Sequence, residues 1–94
     1  MGNLVSALRG TDCRLIHIST DYVFDGNIPV PYTEYDTPSP ASAYGRSKLA
    51  GEKAALTWPG TMIIRTSWLY SSYGNNFVKT ILRKAGSSHD ISVV

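Results

Sequence analysis

Two short runs of nearly unbroken apolar character, Arg14–Ser19 (RLIHIS) and Thr61–Ser67 (TMIIRTS), most constrain what this chain can fold into. Runs of this length, rich in β-branched residues, read as strands covered on both faces rather than as half-solvated hairpins. Between them the sequence changes character twice. Residues 21–41 are polar and carry Gly26, Pro29, Pro31, Pro38 and Pro40, which excludes regular structure. A structureless stretch of that length is unusual in a compact domain unless it serves a function. Ser39-Pro40 then opens a helix, with serine as N-cap and proline at the first helical position. That helix runs to about Thr57 and is closed by Pro59-Gly60.

The flanks repeat the alternation. Residues 3–9 read as the last turns of a helix, with Leu4 and Leu8 on one face and Gly10 just past it. Residues 75–84 form an amphipathic helix stopped by Gly86, and residues 91–94 begin a third strand. Helix, strand, helix, strand, helix, strand predicts an α/β fold: part of a Rossmann-type, doubly wound parallel sheet of about three strands with flanking helices. A pattern that begins inside a helix and ends inside a strand is expected to be a slice of a larger domain.

Composition narrows the function classes. With 94 residues the chain makes at most one domain, and 43% hydrophobic against 17% charged residues is ordinary for a globular protein. A net charge of +2 from scattered basic residues gives no nucleic-acid footprint. No apolar run approaches the ~20 residues of a membrane helix. Nothing at the N-terminus resembles a cleavable leader, and the single Cys13 cannot form an internal disulfide, so a cytoplasmic location is the expectation. Cys13 and His17, four apart on or beside a strand, are too distant for one metal. His89 stands alone in a polar loop, so no metal site is expected.

Three segments carry chemistry. Tyr44 and Lys48 (Y-x-x-x-K) share one face of the central helix, one turn apart. A tyrosine hydroxyl ordinarily titrates near pH 10 (about 10), and a neighbouring ammonium favours its phenolate. Such a pair can deliver a proton to a carbonyl oxygen while a hydride arrives at its carbon. Two exposed helix residues would give the same spacing, and for the pair taken alone that is the better reading. Ser19-Thr20-Asp21-Tyr22-Val23-Phe24 directly follows the first strand, where open α/β sheets bind ligands, although Ser-Thr-Asp also suits a turn that merely ends a strand. Arg65-Thr66-Ser67-Trp68-Leu69-Tyr70 ends the second strand. Its aromatic residues can stack on a sugar or base at the mouth of a loop, or pack in a core.

STDYVFDG after a strand, a proline-rich loop, YGRSKLAGE, a strand reading RTSWLY and then GNNFVK together resemble the dTDP-4-dehydrorhamnose reductases, extended short-chain dehydrogenase/reductases, over about residues 14–94. The resemblance implies Tyr44 as proton donor to the sugar C4 keto group. Lys48 would ease the loss of that proton and hold the nicotinamide ribose, with Thr20 as third catalytic member at the substrate carbonyl. It implies Thr20, Asp21 and Trp68 as substrate contacts, and the Ile18 backbone with Tyr44 and Lys48 as cofactor contacts. Tyr22, Thr66 and Asn76 are further candidates for the same cleft.

The implied reaction is NADPH- or NADH-dependent reduction of dTDP-4-dehydro-L-rhamnose to dTDP-L-rhamnose, for cell-surface polysaccharide. Other readings are a nucleotide-sugar epimerase or dehydratase of the same family, or a regulatory subunit like methionine adenosyltransferase beta. The intact set of Thr20, Tyr44 and Lys48 favours chemistry. No G-x-G or G-x-x-G occurs in the sequence, so residues 1–94 are expected to be the catalytic segment of the NAD(P)-binding domain. The glycine-rich loop and the C-terminal substrate region lie outside it, with little activity expected of the segment alone. Open sheet edges would favour self-association into a homo-oligomer.

Overall fold

A computed structural model describes residues 1–87 and 90–93. In chain order the elements are α1 (Gly2–Leu8), β1 (Leu15–Thr20), a single 3-10 turn (Asp21–Val23), α2 (Ala43–Ala55), β2 (Thr61–Thr66) and α3 (Phe77–Ala85). β1 and β2 pair in parallel, in register from Leu15 opposite Thr61 to Thr20 opposite Thr66, with α2 as the crossover. The parallel α/β expectation is met, and among the described residues the sheet has two strands against the expected three or so. A strand exists by pairing its backbone with a neighbour. Residues 91–93 belong to no strand, and Val94, like His89, lies outside the described residues.

The core lies between α1, α2 and one face of the sheet. Val5, Leu15 and Ala55 are buried there, and Leu8, Trp58 and Ile63 pack against them. Alternation along the strands sends Leu15, His17 and Ser19 to this face, along with Thr61, Ile63 and Arg65. Two side-chain bonds tie the layers at the lower end. The Thr61 hydroxyl donates to the Ala55 carbonyl at 2.7 Å, and the Trp58 indole to the Cys13 carbonyl at 2.9 Å.

The opposite face corrects the expectation that the strands are covered on both sides. Ile16, Ile18, Met62 and Ile64 are between 38% and 62% exposed, because among the described residues no element crosses that face. The chain is accordingly extended. Its radius of gyration is 17.3 Å, against about 13 Å for a compact domain of ~100 residues.

Element ends also shift. α2 begins at Ala43 instead of at Pro40. Its N-cap is Ser42, whose hydroxyl accepts from the Gly45 N–H at 3.0 Å. Ser39 is engaged elsewhere: its N–H donates to the Val23 carbonyl at 2.8 Å, which holds the end of the loop against the 3-10 turn. The helix stops at Ala55, two residues short of the expected end. α3 begins at Phe77, with the Asn76 side chain as cap, accepting from the Lys79 N–H at 3.0 Å.

Candidate active site

The carboxyl ends of β1 and β2 open into a cleft of about 420 Å³. Four elements line it. The end of β1 and the 3-10 turn contribute Ile18 through Tyr22, α2 contributes Tyr44 and Lys48, and the end of β2 contributes Thr66 through Leu69. All the residues singled out for catalysis, cofactor and substrate therefore meet at one place. Tyr22 and Thr66 do as well.

Asn76 does not line this cleft. Its side chain caps α3 and donates to the Ser71 carbonyl at 2.8 Å, so its amide is committed to local structure. Tyr70 also lies outside the lining and is exposed, while Ser67 and Leu69, which sequence reasoning did not single out, are part of it.

Lys48 reaches across from α2 to the sheet, and its ammonium donates to the Ile18 carbonyl at 3.2 Å. This bond spans 30 residues of sequence and fixes the helix over the end of β1. Tyr44, one turn earlier, sits edge-on to the Tyr22 ring, with centroids 5.7 Å apart and planes at 88°. That is a favourable T-shaped contact. The Tyr44 side chain remains about half exposed toward the cleft, at 52% for the residue.

Thr20 is the most enclosed of the three, at 8% exposure. Its hydroxyl accepts from the Tyr22 N–H at 3.2 Å, capping the 3-10 turn, and donates to the Asp21 carboxylate at 3.2 Å. The Thr66 hydroxyl donates to the Ser19 carbonyl at 3.2 Å and locks the two strand ends together.

Trp68 is held with φ at +52°, a left-handed backbone that a bulky residue adopts only at a cost of about 1–3 kcal/mol. Its ring meets Phe77, at the start of α3, with centroids 4.9 Å apart and planes at 68°. Strain of this kind is characteristic of binding sites. Here it turns the indole over the cleft mouth, where it lines the cavity and is 69% exposed.

Behind the cleft lies an ion pair that sequence reasoning overlooked. Glu52, on α2 two turns after Tyr44, is only 2% exposed, and Arg65 of β2 grips it with both arms of its guanidinium, at 2.9 and 2.7 Å. Burial alone would raise the Glu52 pKa. That is the largest single influence, but the Arg65 hydrogen bonds, Ser19, the Arg65 charge and His17 together overcome it and hold the carboxyl below its ordinary value. The guanidinium pKa rises in turn, chiefly through the same hydrogen bonds.

Arg65 also lies over the Phe24 ring at 5.0 Å, and Phe24 stacks on Tyr32 at 4.2 Å. The signal was available. An arginine inside an otherwise apolar strand requires a buried partner, and the carboxylate of the central helix was the candidate.

A larger depression, about 540 Å³, is lined by Phe24, Tyr32, Glu52 and Arg65 among others. There the Arg65 guanidinium and the buried Glu52 carboxylate are committed to each other, and Asp21 and Glu34 also line it. The smaller cleft brings together the Lys48 ammonium, the phenols of Tyr22 and Tyr44, the Thr20 and Thr66 hydroxyls and the Asp21 carboxylate, and is the candidate site.

Among the described residues no cluster of histidine, cysteine and carboxylate side chains is arranged to hold a metal ion. None of the described helices is long and apolar enough to cross a membrane.

Comparison with known proteins places this geometry. The chain is 54% identical over 92 residues, 97% of its length, to the dTDP-4-dehydrorhamnose reductase of Sinorhizobium fredii. It is 46% identical over 92 residues, again 97% of its length, to that of Salmonella typhimurium. It covers 31% of each of those two proteins. The crystal structure of dTDP-4-dehydrorhamnose reductase from Bacillus anthracis in complex with NADP superposes with a TM-score of 0.89, at 45% identity, covering 98% of this chain and 33% of that one. The chain thus spans about a third of the length of the relatives it matches. The family model of the RmlD substrate binding domain matches residues 1–94, and the chain belongs to that family.

Proposed function

We propose that this chain supplies the catalytic segment of an NAD(P)H-dependent reductase that converts dTDP-4-dehydro-L-rhamnose to dTDP-L-rhamnose, in the cytoplasm. The observation that supports it is the convergence of Tyr44, Lys48 and Thr20 on one cleft at the carboxyl ends of two parallel strands. The names of the relatives supply the substrate and the bound NADP of the Bacillus anthracis structure supplies the cofactor class.

The donor set fits the nicotinamide end of such a cofactor. The Lys48 ammonium and Tyr44 hydroxyl can hold ribose hydroxyls, and the Ile18 backbone stands beside them. The sequence has no glycine-rich loop for the pyrophosphate, so that end must be held by residues outside these 94. The cofactor supplies a hydride.

The chain's own groups handle the proton and the orientation. Tyr44 gives its phenolic proton to the sugar C4 oxygen as that oxygen gains charge, which is general-acid catalysis. Lys48, fixed by the Ile18 carbonyl, places a positive charge one turn away on the same helix face. Thr20 can donate to the same oxygen once its O–H swings away from Asp21. The Tyr22 N–H keeps the threonine oxygen in place during that rotation. Trp68 offers an apolar wall at the cleft mouth for the deoxysugar or the base. A homo-oligomer, built on the open sheet, is part of the same reading.

The test is a titration of the purified chain with NADPH, followed by nicotinamide fluorescence, together with an assay of NADPH oxidation by the keto-sugar nucleotide. The segment reading expects weak or no cofactor binding by the 94 residues and turnover once they stand within a chain of the length of the relatives. Saturable binding and rapid oxidation by the 94 residues alone would refute the segment reading. A longer protein that leaves the keto-sugar unreduced would refute the activity.

A further inference from the structure

We propose that Gly45 is a positioning residue for this site: its missing side chain lets the Tyr22 carbonyl seat directly on the first turn of α2, and so sets where Tyr44 stands relative to Thr20. The inference rests on the reductase reading for its catalytic consequence, but its geometry is independent of that reading.

A Cβ at Gly45 would lie 2.2 Å from the Tyr22 carbonyl oxygen, 3.1 Å from the Tyr22 carbonyl carbon and 2.9 Å from the Pro40 Cβ. The first two are backbone atoms, which cannot swing aside as the end of a flexible side chain can. Nor can the turn that carries them easily retreat. The Tyr22 N–H is bound to the Thr20 hydroxyl, the Phe24 N–H to the Asp21 carbonyl at 2.9 Å, and the Val23 carbonyl accepts from Ser39 at 2.8 Å. The Val23 side chain is fully buried.

The helix is equally fixed, because the Gly45 N–H is the one that Ser42 caps. Glycine stands here against local preference, since alanine is the better helix former. The tertiary contact supplies the reason. The turn that holds Thr20 and the turn that holds Tyr44 touch backbone to backbone, with no side chain between them.

The same helix contains its own control. A Cβ at Gly51 would meet only the His17 Nε2, at 3.6 Å, an ordinary contact. Gly51→Ala therefore raises helix propensity without a clash. Gly45→Ala must push the two turns apart by about 1 Å, and a displacement of that size at reacting groups costs about 100-fold in rate.

The experiment compares the unsubstituted chain, Gly45→Ala and Gly51→Ala by NMR with labelled tyrosines. The reading is the through-space cross-peak between the Tyr22 and Tyr44 rings. The unsubstituted chain and Gly51→Ala should both show it, and a folded Gly45→Ala should lose it. Absence of the cross-peak in the unsubstituted chain, or its full retention in Gly45→Ala, overturns the inference.

If Gly45→Ala does not fold, the same reading is taken on Ser39→Pro, which leaves α2 intact and removes the N–H that pins the turn. The cross-peak should then weaken at least about twofold, and an unchanged one overturns the inference. In the reductase assay on the longer protein, Gly45→Ala should lower kcat about 100-fold with KM within about threefold, while Gly51→Ala keeps both. Equal kcat in the two variants overturns the inference. An unsubstituted protein without activity counts against the reductase reading and leaves the cross-peak to decide this one.

Discussion

α2 and α3 follow the two strands in equivalent places, and both start with a side-chain cap, Ser42 in one and Asn76 in the other. They then diverge. α3 has much the stronger amphipathic pattern, yet it buries none of its residues fully and leaves Phe77, Val78 and Leu82 between 42% and 67% exposed. α2 is weakly amphipathic, but it buries Gly45, Glu52 and Ala55 against the sheet and the 3-10 turn and presents Tyr44 and Lys48 to the cleft. Amphipathicity states what a helix could bury, and only a partner surface makes it do so. Small residues at the contact, together with a carboxylate that finds its arginine, packed α2 more closely than an apolar stripe packed α3.

The largest expected effect separates the helices by chemistry. On the reductase reading, Tyr44→Phe in a chain of full family length should lower kcat by about 10²–10⁴-fold with the fold unchanged, as loss of a general acid does. Lys84→Met, near the end of α3, should leave kcat within about twofold, a value chosen as the ordinary scatter of a surface change. Steady-state kinetics on both variants checks this, and a comparable loss in the second would bring α3 into the site.

Next in size is the buried ion pair. Glu52→Gln leaves the Arg65 guanidinium without its charged partner and should destabilise the chain by about 2–4 kcal/mol. That is somewhat less than for a fully buried pair, because Arg65 keeps 24% exposure. Its pH dependence has a definite sign. The Glu52 pKa is lower in the folded state than its ordinary 4.5, so its contribution is present above that value and is lost as pH falls through the folded one. Urea titrations of wild type and Glu52→Gln should converge as pH drops below 4.5. Asp25, also lowered, chiefly by the Asn27 backbone N–H and then by the Tyr32 hydroxyl, acts in the same direction in both proteins and cancels in the difference. A gap that widens in acid would contradict the assignment.

The caps offer a finer test. Ser42→Ala should cost about 1 kcal/mol of global stability, because α2 cannot fray without disturbing the core. Asn76→Ala removes a similar bond, but should appear only as faster amide exchange within α3, with the global transition unmoved. The smallest effect is expected for Leu82→Lys, within about 0.5 kcal/mol in chemical denaturation. A loss above ~1 kcal/mol would mean that α3 is covered in solution, by another copy or by further chain, and would erase the contrast with α2.

Much of this architecture was legible from sequence. The two strands, the three helices, the irregular loop between β1 and α2 and the shared helix face of Tyr44 and Lys48 follow from apolar runs, breakers and spacing, while the grouping of Thr20 with that pair came from the family resemblance. Runs, breakers and spacing are local properties that each segment carries by itself. The errors fell where local signals compete. Ser39-Pro40 and Ser42 are both acceptable helix starts, and the choice went to Ser42 because the Ser39 N–H is drawn to Val23, 16 residues away in sequence. Asn76 looked like a cleft residue and serves as a cap, since a side-chain amide at a helix start is satisfied more cheaply by the backbone beside it.

The sequence by itself determined the order of the elements and the family, because these depend on residue type and short-range spacing. Only the tertiary structure decided that one sheet face stays open, that Glu52 and Arg65 meet behind the cleft, and that the Tyr22 carbonyl rests on Gly45. Each of these is a contact between segments far apart along the chain. Its energy comes from the close approach of surfaces that no single segment carries.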